Sequence, residues 1–154
     1  MVTLLTTVVL AATYRSVSVD KHGQLHIILD TGKEILPPKA RDQEAFDSPS
    51  ISPDHQMVGW LELYPHPSLV TYPLPFRLVV YRNGRLLHTI SAEQMFWDWQ
   101  FQDSGRRIAY STGPTHGGAA QCVLLDVLSG KVLARWSVTR EGKPPTWTES
   151  LRVD

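Results

Sequence analysis

The chain has 154 residues, a length that supports one domain with a real core. Fifteen basic residues balance fifteen acidic ones, and no run carries the basic excess a nucleic-acid binder uses, so no nucleic-acid partner is expected. Eleven prolines and ten glycines punctuate segments rich in aromatic and β-branched residues, the mix of short strands and frequent turns.

The N-terminal stretch is apolar from Val2 to Ala12, well short of the ~20 residues that span a bilayer, so no stable membrane insertion is expected. Two readings stay open for residues 1–13. Ala11, Ala12 and Thr13 resemble the end of a secretory signal, which implies an exported protein, periplasmic or secreted, although the charged n-region of a signal is missing. Alternatively Thr3, Thr6, Thr7, Val8 and Val9 suit a first strand. Residues 14–154 then form a single blade-like β domain.

Further along, "YRSVSVD" and "QLHIILD" read as strands, with His22 and His26 flanking a glycine turn. Their four-residue spacing pairs metal ligands on a helix but not across a turn, so no metal site is expected. "KARDQEAFDS" reads as a solvated linker; its Asp42, Glu44 and Asp47 lack the spacing of a calcium loop. In "SPDHQMVGWLELY", Pro53 presets φ and Asp54 caps the backbone ahead of it. The strand that follows is apolar almost throughout, as a strand buried on both faces should be. Gly59 beside Trp60 points to close packing of neighbouring sheets.

"YPHPSLVTYPLPF" (Tyr64 to Phe76) holds four prolines among aromatics and reads as an extended, exposed insertion able to dock onto a partner, with Tyr72 as a candidate contact. "FRLVVYR" and "RLLHTI" flank Asn83-Gly84, a tight-hairpin pair; Thr31-Gly32 and Ser129-Gly130 are of the same kind. "SAEQ" (Ser91 to Gln94) is a turn. In "FWDWQF", strict alternation puts Trp97, Trp99 and Phe101 on one face and Phe96, Asp98 and Gln100 on the other. The first face packs between sheets or offers an aromatic platform to a sugar or peptide. "STGPTHGGAAQ" is a loop whose glycines and His116 suit either a plain connection or close backbone approach to a ligand. Cys122, the one cysteine, lies in an apolar strand run and reads as a buried thiol.

The pattern recurs. "LVVYRNGRLLHTI" and "VLLDVLSGKVLARW" share one plan, strand, glycine turn, basic residue, strand, and "IILDTGKEIL" is a shorter copy. The turn glycines Gly32, Gly84 and Gly130 recur at intervals of about 50 residues, the period of propeller blades of four strands. "SPDHQMVGWLEL" is echoed by "FQDSGRRIAYST", with Asp54 matched to Asp103.

On these residues the chain resembles the TolB-type, WD-like propeller repeat, whose signature runs Ser-Pro-Asp-Gly into an apolar strand. Ser52, Pro53 and Asp54 match, but His55 stands where glycine is expected; Asp103, Gly105, Ile108, Ala109 and Tyr110 match without the Ser-Pro. "LLDVLSGKVL" resembles that repeat's last hairpin. Through "DSPSISPD", "LVVYRNG", "WDWQFQDSG" and "HGG" the chain is also similar to a group of small exported bacterial proteins, a likeness that implies no activity. A closed propeller needs at least four blades of about 40 residues, and this chain supplies two full ones and a part. The expected fold is therefore all-β: two to three propeller-blade-like antiparallel meanders stacked as an open array or sandwich.

No Gly-x-Ser-x-Gly, phosphate loop or dinucleotide fingerprint occurs. The expected function is a non-enzymatic exported binding module without cofactors or metal, whose candidate ligand contacts are Tyr72, Trp97, Asp98, Trp99 and His116. Its partner would be a protein, peptide or glycan. The alternative is an accessory propeller fragment of a peptidase or glycan-processing enzyme, with Asp98 and His116 as polar groups. Open outer faces and edges need cover, from the Pro-rich insertion, from the "KPPTW" tail folding back through Trp147, or from a second copy in a homodimer.

Overall fold

The computed structural model describes residues 11–66, 71–138 and 142–153. Of these, 52% are strand and 4% helix, which bears out the all-β expectation. Residues 1–10, the bulk of the signal-or-strand alternative, lie outside the described residues. The strands form three antiparallel meanders. The first sheet is β1 (Tyr14–Val19), β2 (Leu25–Leu29) and β3 (Glu34–Ile35); the second is β4 (Ala45–Ile51), β5 (Met57–Tyr64), β6 (Leu74–Arg82) and β7 (Arg85–Ser91). The third is β8 (Met95–Gln102), β9 (Arg107–Gly113), β10 (Gln121–Asp126) and β11 (Val132–Ser137). None closes into a barrel.

The sheets stack in chain order because the middle one is apolar on both faces. Val58, Trp60 and Val79 of the second sheet pack with Phe46 against Tyr14, Leu25 and Ile27 of the first. From the opposite face Met57, Leu61, Leu78 and Val80 meet Phe96, Trp99, Ile108, Val123 and Leu125 of the third. The unbroken apolar run of β5 is thus explained: its alternate residues serve two different cores. Each fully buried side chain there contributes about 1.5–3 kcal/mol. Gly59 faces the third sheet and makes room for Trp99, whose Cη2 lies 2.8 Å from where a Cβ would stand.

The Ser52-Pro53-Asp54 turn links the second sheet to the third. The Ser52 hydroxyl is buried, donates to Asp54 Oδ1 at 2.5 Å and accepts from the Met57 amide at 2.9 Å. Gly105 of the matching Asp103–Gly105 turn packs on Ser52 Cβ with no space for a side chain. His55, standing where the repeat expects glycine, adopts the glycine-like φ of 58°. Its ring Nδ1 lies 2.8 Å from the Tyr14 carbonyl oxygen, and the Tyr14 amide donates to the His55 carbonyl. Those two bonds fasten the first sheet to the second, and they offset the strain of a non-glycine residue in this region.

Several local expectations are corrected. Asp47 belongs to β4, not to a linker; a bulge at Ser48–Pro49, with Ser48 at φ 47°, hid the strand, and proline is tolerated there because β4 is an edge. The Pro-rich stretch is only partly an insertion, since Leu74, Pro75 and Phe76 begin β6 and Leu74 is buried; its residues 67–70 lie outside the described set. Pro75 pairs with Leu63 on one side and lies beyond the last β7 pairing on the other, so its missing N–H costs no ladder bond. Only Asn83-Gly84 closes a two-residue hairpin, from Arg82 to Arg85. The other glycine turns are wider, bridged from Leu29 to Lys33 and from Asp126 to Lys131.

The stack ends differently at its two sides. The outward face of the first sheet is polar, carrying Ser16, Ser18 and His26. The outward face of the third is apolar, and the C-terminal segment lies over it: Leu151, Trp147 and Val153 pack on Ala109, Cys122, Leu124 and Trp136. Gln102 Nε2 donates to the Trp147 carbonyl at 2.7 Å and the Ser111 hydroxyl to the Arg152 carbonyl at 2.6 Å, while Gln100 binds Ser150. The tail acts as cover for that face, as one of the expected routes required. Burial there pushes the Cys122 thiol pKa up and keeps it protonated.

Candidate functional site

A cleft of about 650 Å³ opens between the second and third sheets, beside the edge strands β4 and β8. Its floor is the buried Leu61, Leu74 and Phe96; Trp97 and Tyr72 stand at its sides; Pro114, Gly117 and Gly118 of the β9–β10 loop close one end. Asp47, Ser48, Thr115 and Arg152 are its polar lining. Apolar walls with a few polar groups are the usual make-up of a small-ligand or peptide site.

Trp97 reaches the cleft through a backbone device. The register of β8 against β9 breaks between Phe96 and Asp98, so Trp97 is an extra, bulged residue. Strict alternation resumes beyond it in the opposite phase, and Phe96, Trp99 and Phe101 all pack on the core between sheets. The expected Trp97-Trp99-Phe101 face is therefore split: two rings are core, and the third is freed. The indole of Trp97 lies over Gly113, whose absent Cβ would sit 2.6 Å from Cε2 and 2.8 Å from Cη2. Gly113 is thus a seat for the ring.

The sequence candidates separate accordingly. Trp97 and Tyr72 line the same cleft, and Tyr72 is 57% exposed. Trp99 is buried in the core, its Nε1 donating to the Ser48 carbonyl at 3.1 Å across the sheets. Asp98 points to the other face, where Oδ2 accepts from the Arg152 amide at 2.9 Å and Oδ1 from the Trp99 amide at 2.8 Å. His116 is exposed at the loop between two lining residues but is not itself among the cleft walls. Leu61, Met95 and Gly113 carried no functional signal in the sequence, except that a glycine ending a strand marks close approach.

A Ser-His-carboxylate grouping lies on the outward face of the first sheet, where Ser18 pairs with His26 across the strands. Both imidazole nitrogens are already engaged: Nδ1 with Glu34 at 2.7 Å and Nε2 with Asp20 at 3.1 Å. The Glu34 bond first, then Asp20, raises the His26 pKa, while backbone amide donation from Gln24, with His26, lowers Asp20 to about 2. With neither nitrogen left to accept a hydroxyl proton, the group is a surface brace and not a nucleophile with its base. Among the described residues no His, Cys, Asp and Glu cluster is arranged to hold a metal ion.

No protein-family model and no curated protein matches this chain.

Proposed function

We infer that the chain is a non-enzymatic binding module, exported to the periplasm or secreted, built from TolB-type blade repeats and working through the cleft between its second and third sheets. The observation that carries this is Trp97: a bulge lifts it out of the core pattern and a glycine seats its ring in an apolar cleft. An aromatic ring fixed before binding loses little freedom when a ligand arrives. Among the described residues of the cleft no nucleophile is paired with a base, which favours binding over the accessory-enzyme alternative.

The test is a panel of peptides, oligosaccharides and an anilinonaphthalene sulfonate dye, read by the Trp97 indole N–H resonance. Saturable shifts support the reading when Trp97→Ala abolishes the binding as followed by the backbone amide of Tyr72, which lines the same cleft. Hydrolysis of a panel member that is lost in Asp98→Ala or His116→Ala would establish the enzymatic alternative instead. A homodimer is a second partner reading, favoured by β11, an edge strand with Val132 and Leu133 exposed; light scattering showing only monomer at high concentration would remove it.

A further inference from the structure

We propose that Asn83-Gly84 is a site of spontaneous deamidation that the docked first sheet keeps closed, with the Tyr14 hydroxyl as the group that closes it. The chemistry belongs to the dipeptide. The Gly84 backbone nitrogen bonds to Cγ of Asn83 as its amide proton passes to a solvent base; the Cγ–Nδ2 bond breaks, and ammonia leaves after taking a proton from water. Water then opens the five-membered imide at one of its two carbonyls, giving aspartate or, with the chain rerouted through the side chain, isoaspartate. Glycine in second place favours the attack, because no side chain shields its nitrogen and its backbone turns freely. Asn83 is the single asparagine of the chain, so the product has one origin.

The fold places the two reacting groups in different settings. Asn83 is exposed, open to the water that the reaction needs. Gly84 lies against the first sheet: its N–H donates to the Tyr14 hydroxyl at 2.8 Å, and Ile35 Cδ1 stands 3.4 Å from where its Cβ would be. Tyr14 is fully buried, and its backbone is held by the two bonds to His55. The attacking nitrogen is thus tethered to a group from another sheet that cannot follow it.

Turn geometry keeps the same groups apart. Asn83 at φ 52° and Gly84 at φ 70°, between the paired Arg82 and Arg85, make a type I′ hairpin turn, in which the first central residue has ψ of about 30°. Ring closure requires the Gly84 nitrogen to swing into eclipse with Cβ of Asn83, which turns the whole peptide plane about the Asn83 Cα–C bond. That rotation breaks the bond to Tyr14. The reaction therefore runs from an opened hairpin, and its rate follows the population of that state. Its product marks the opening: isoaspartate adds a methylene to the backbone of a two-residue turn and places a carboxylate beside Arg82 and Arg85.

The test follows deamidation at Asn83 by peptide mass spectrometry in the full chain, kept in mildly alkaline buffer beside the free peptide acetyl-VVYRNGRLLH-amide (residues 79–88). The intact chain is expected to react about tenfold more slowly than the peptide, or slower still. Tyr14→Phe keeps the ring and removes the hydroxyl; it should react about two- to tenfold faster than the unaltered chain, the factor that one lost hydrogen bond carries. An intact chain that reacts as fast as the peptide, or a folded Tyr14→Phe chain that reacts no faster than the unaltered one, overturns the proposal. Should Tyr14→Phe lose its far-UV circular dichroism, amide exchange in the unaltered chain decides: the Gly84 N–H is expected to exchange slowly, and exchange as fast as in the peptide overturns the proposal equally.

Discussion

Replacing Gly59 by alanine isolates the contact that holds the second and third sheets at their spacing. The φ of Gly59 lies outside the left-handed region, so alanine meets no backbone objection. Removing a glycine from the unfolded chain favours the folded state by about 0.4–1 kcal/mol. Against this, the new methyl meets Trp99 Cη2 at 2.8 Å, the Val79 carbonyl oxygen at 3.0 Å and Trp99 Cζ3 at 3.2 Å. Neither neighbour yields easily: Val79 O is backbone within a central strand, and the Trp99 ring is 5% exposed and tethered through Nε1 to Ser48. Overpacking of this kind costs about 1–3 kcal/mol, so steric crowding wins and the net loss is about 1–2 kcal/mol. For a chain of this size that lowers Tm by about 2–8 °C. Urea unfolding followed by far-UV circular dichroism reads the same loss as a lower midpoint at unchanged slope. Trp99→Phe removes the ring atoms concerned, so Gly59→Ala made in that background should cost under about 0.5 kcal/mol, a coupling typical of residues in contact. A neutral or stabilising Gly59→Ala, or a double variant in which the two costs simply add, would refute the interdigitated packing derived for these sheets.

Three further outcomes follow from the same structure. Ending the chain before Gly142 removes the cover from Ala109, Cys122 and Leu124, and the shortened protein should aggregate while Cys122 begins to react with an aromatic disulfide reagent; a soluble monomer with an unreactive thiol would show that the tail does not protect this face. His26 should titrate above 6.5 by NMR and fall back in Glu34→Gln. Its contribution to stability is full below pH 6.5 and lost as pH rises through the raised folded value, whereas that of Asp20 is present above pH 3.8 and lost as pH falls towards about 2; a His26 value at or below 6.5 would contradict the brace. Finally, His55→Gly relieves the positive φ but deletes the ring bond to the Tyr14 carbonyl. The lost bond, worth about 0.5–1.5 kcal/mol, is expected to loosen the first sheet, seen as faster amide exchange in β1 and β2 with little change in β9 and β10; slower exchange throughout would mean that backbone strain dominates at this position.

Architecture was legible in the sequence because its causes are local. The runs from "YRSVSVD" to "KVLARWSV" alternate or stay apolar according to whether one or both faces are covered, and the glycine turns impose antiparallel neighbours. Even the double-faced burial of β5 could be read from "MVGWL". What the sequence left open were the positions where a strand departs from period two. At Trp97 one inserted residue reverses which rings face the core, and at Ser48 a positive φ followed by proline disguises a strand as a linker. Alternation rules carry no signal for either, since a bulge is chosen by how two sheets meet and not by the residues that form it. The cleft has the same origin. Its walls come from β4, the start of β6, β8, the β9–β10 loop and the tail, segments far apart along the chain, and only the stacking of sheets around Gly59 and the seating of Trp97 on Gly113 bring them to face one another.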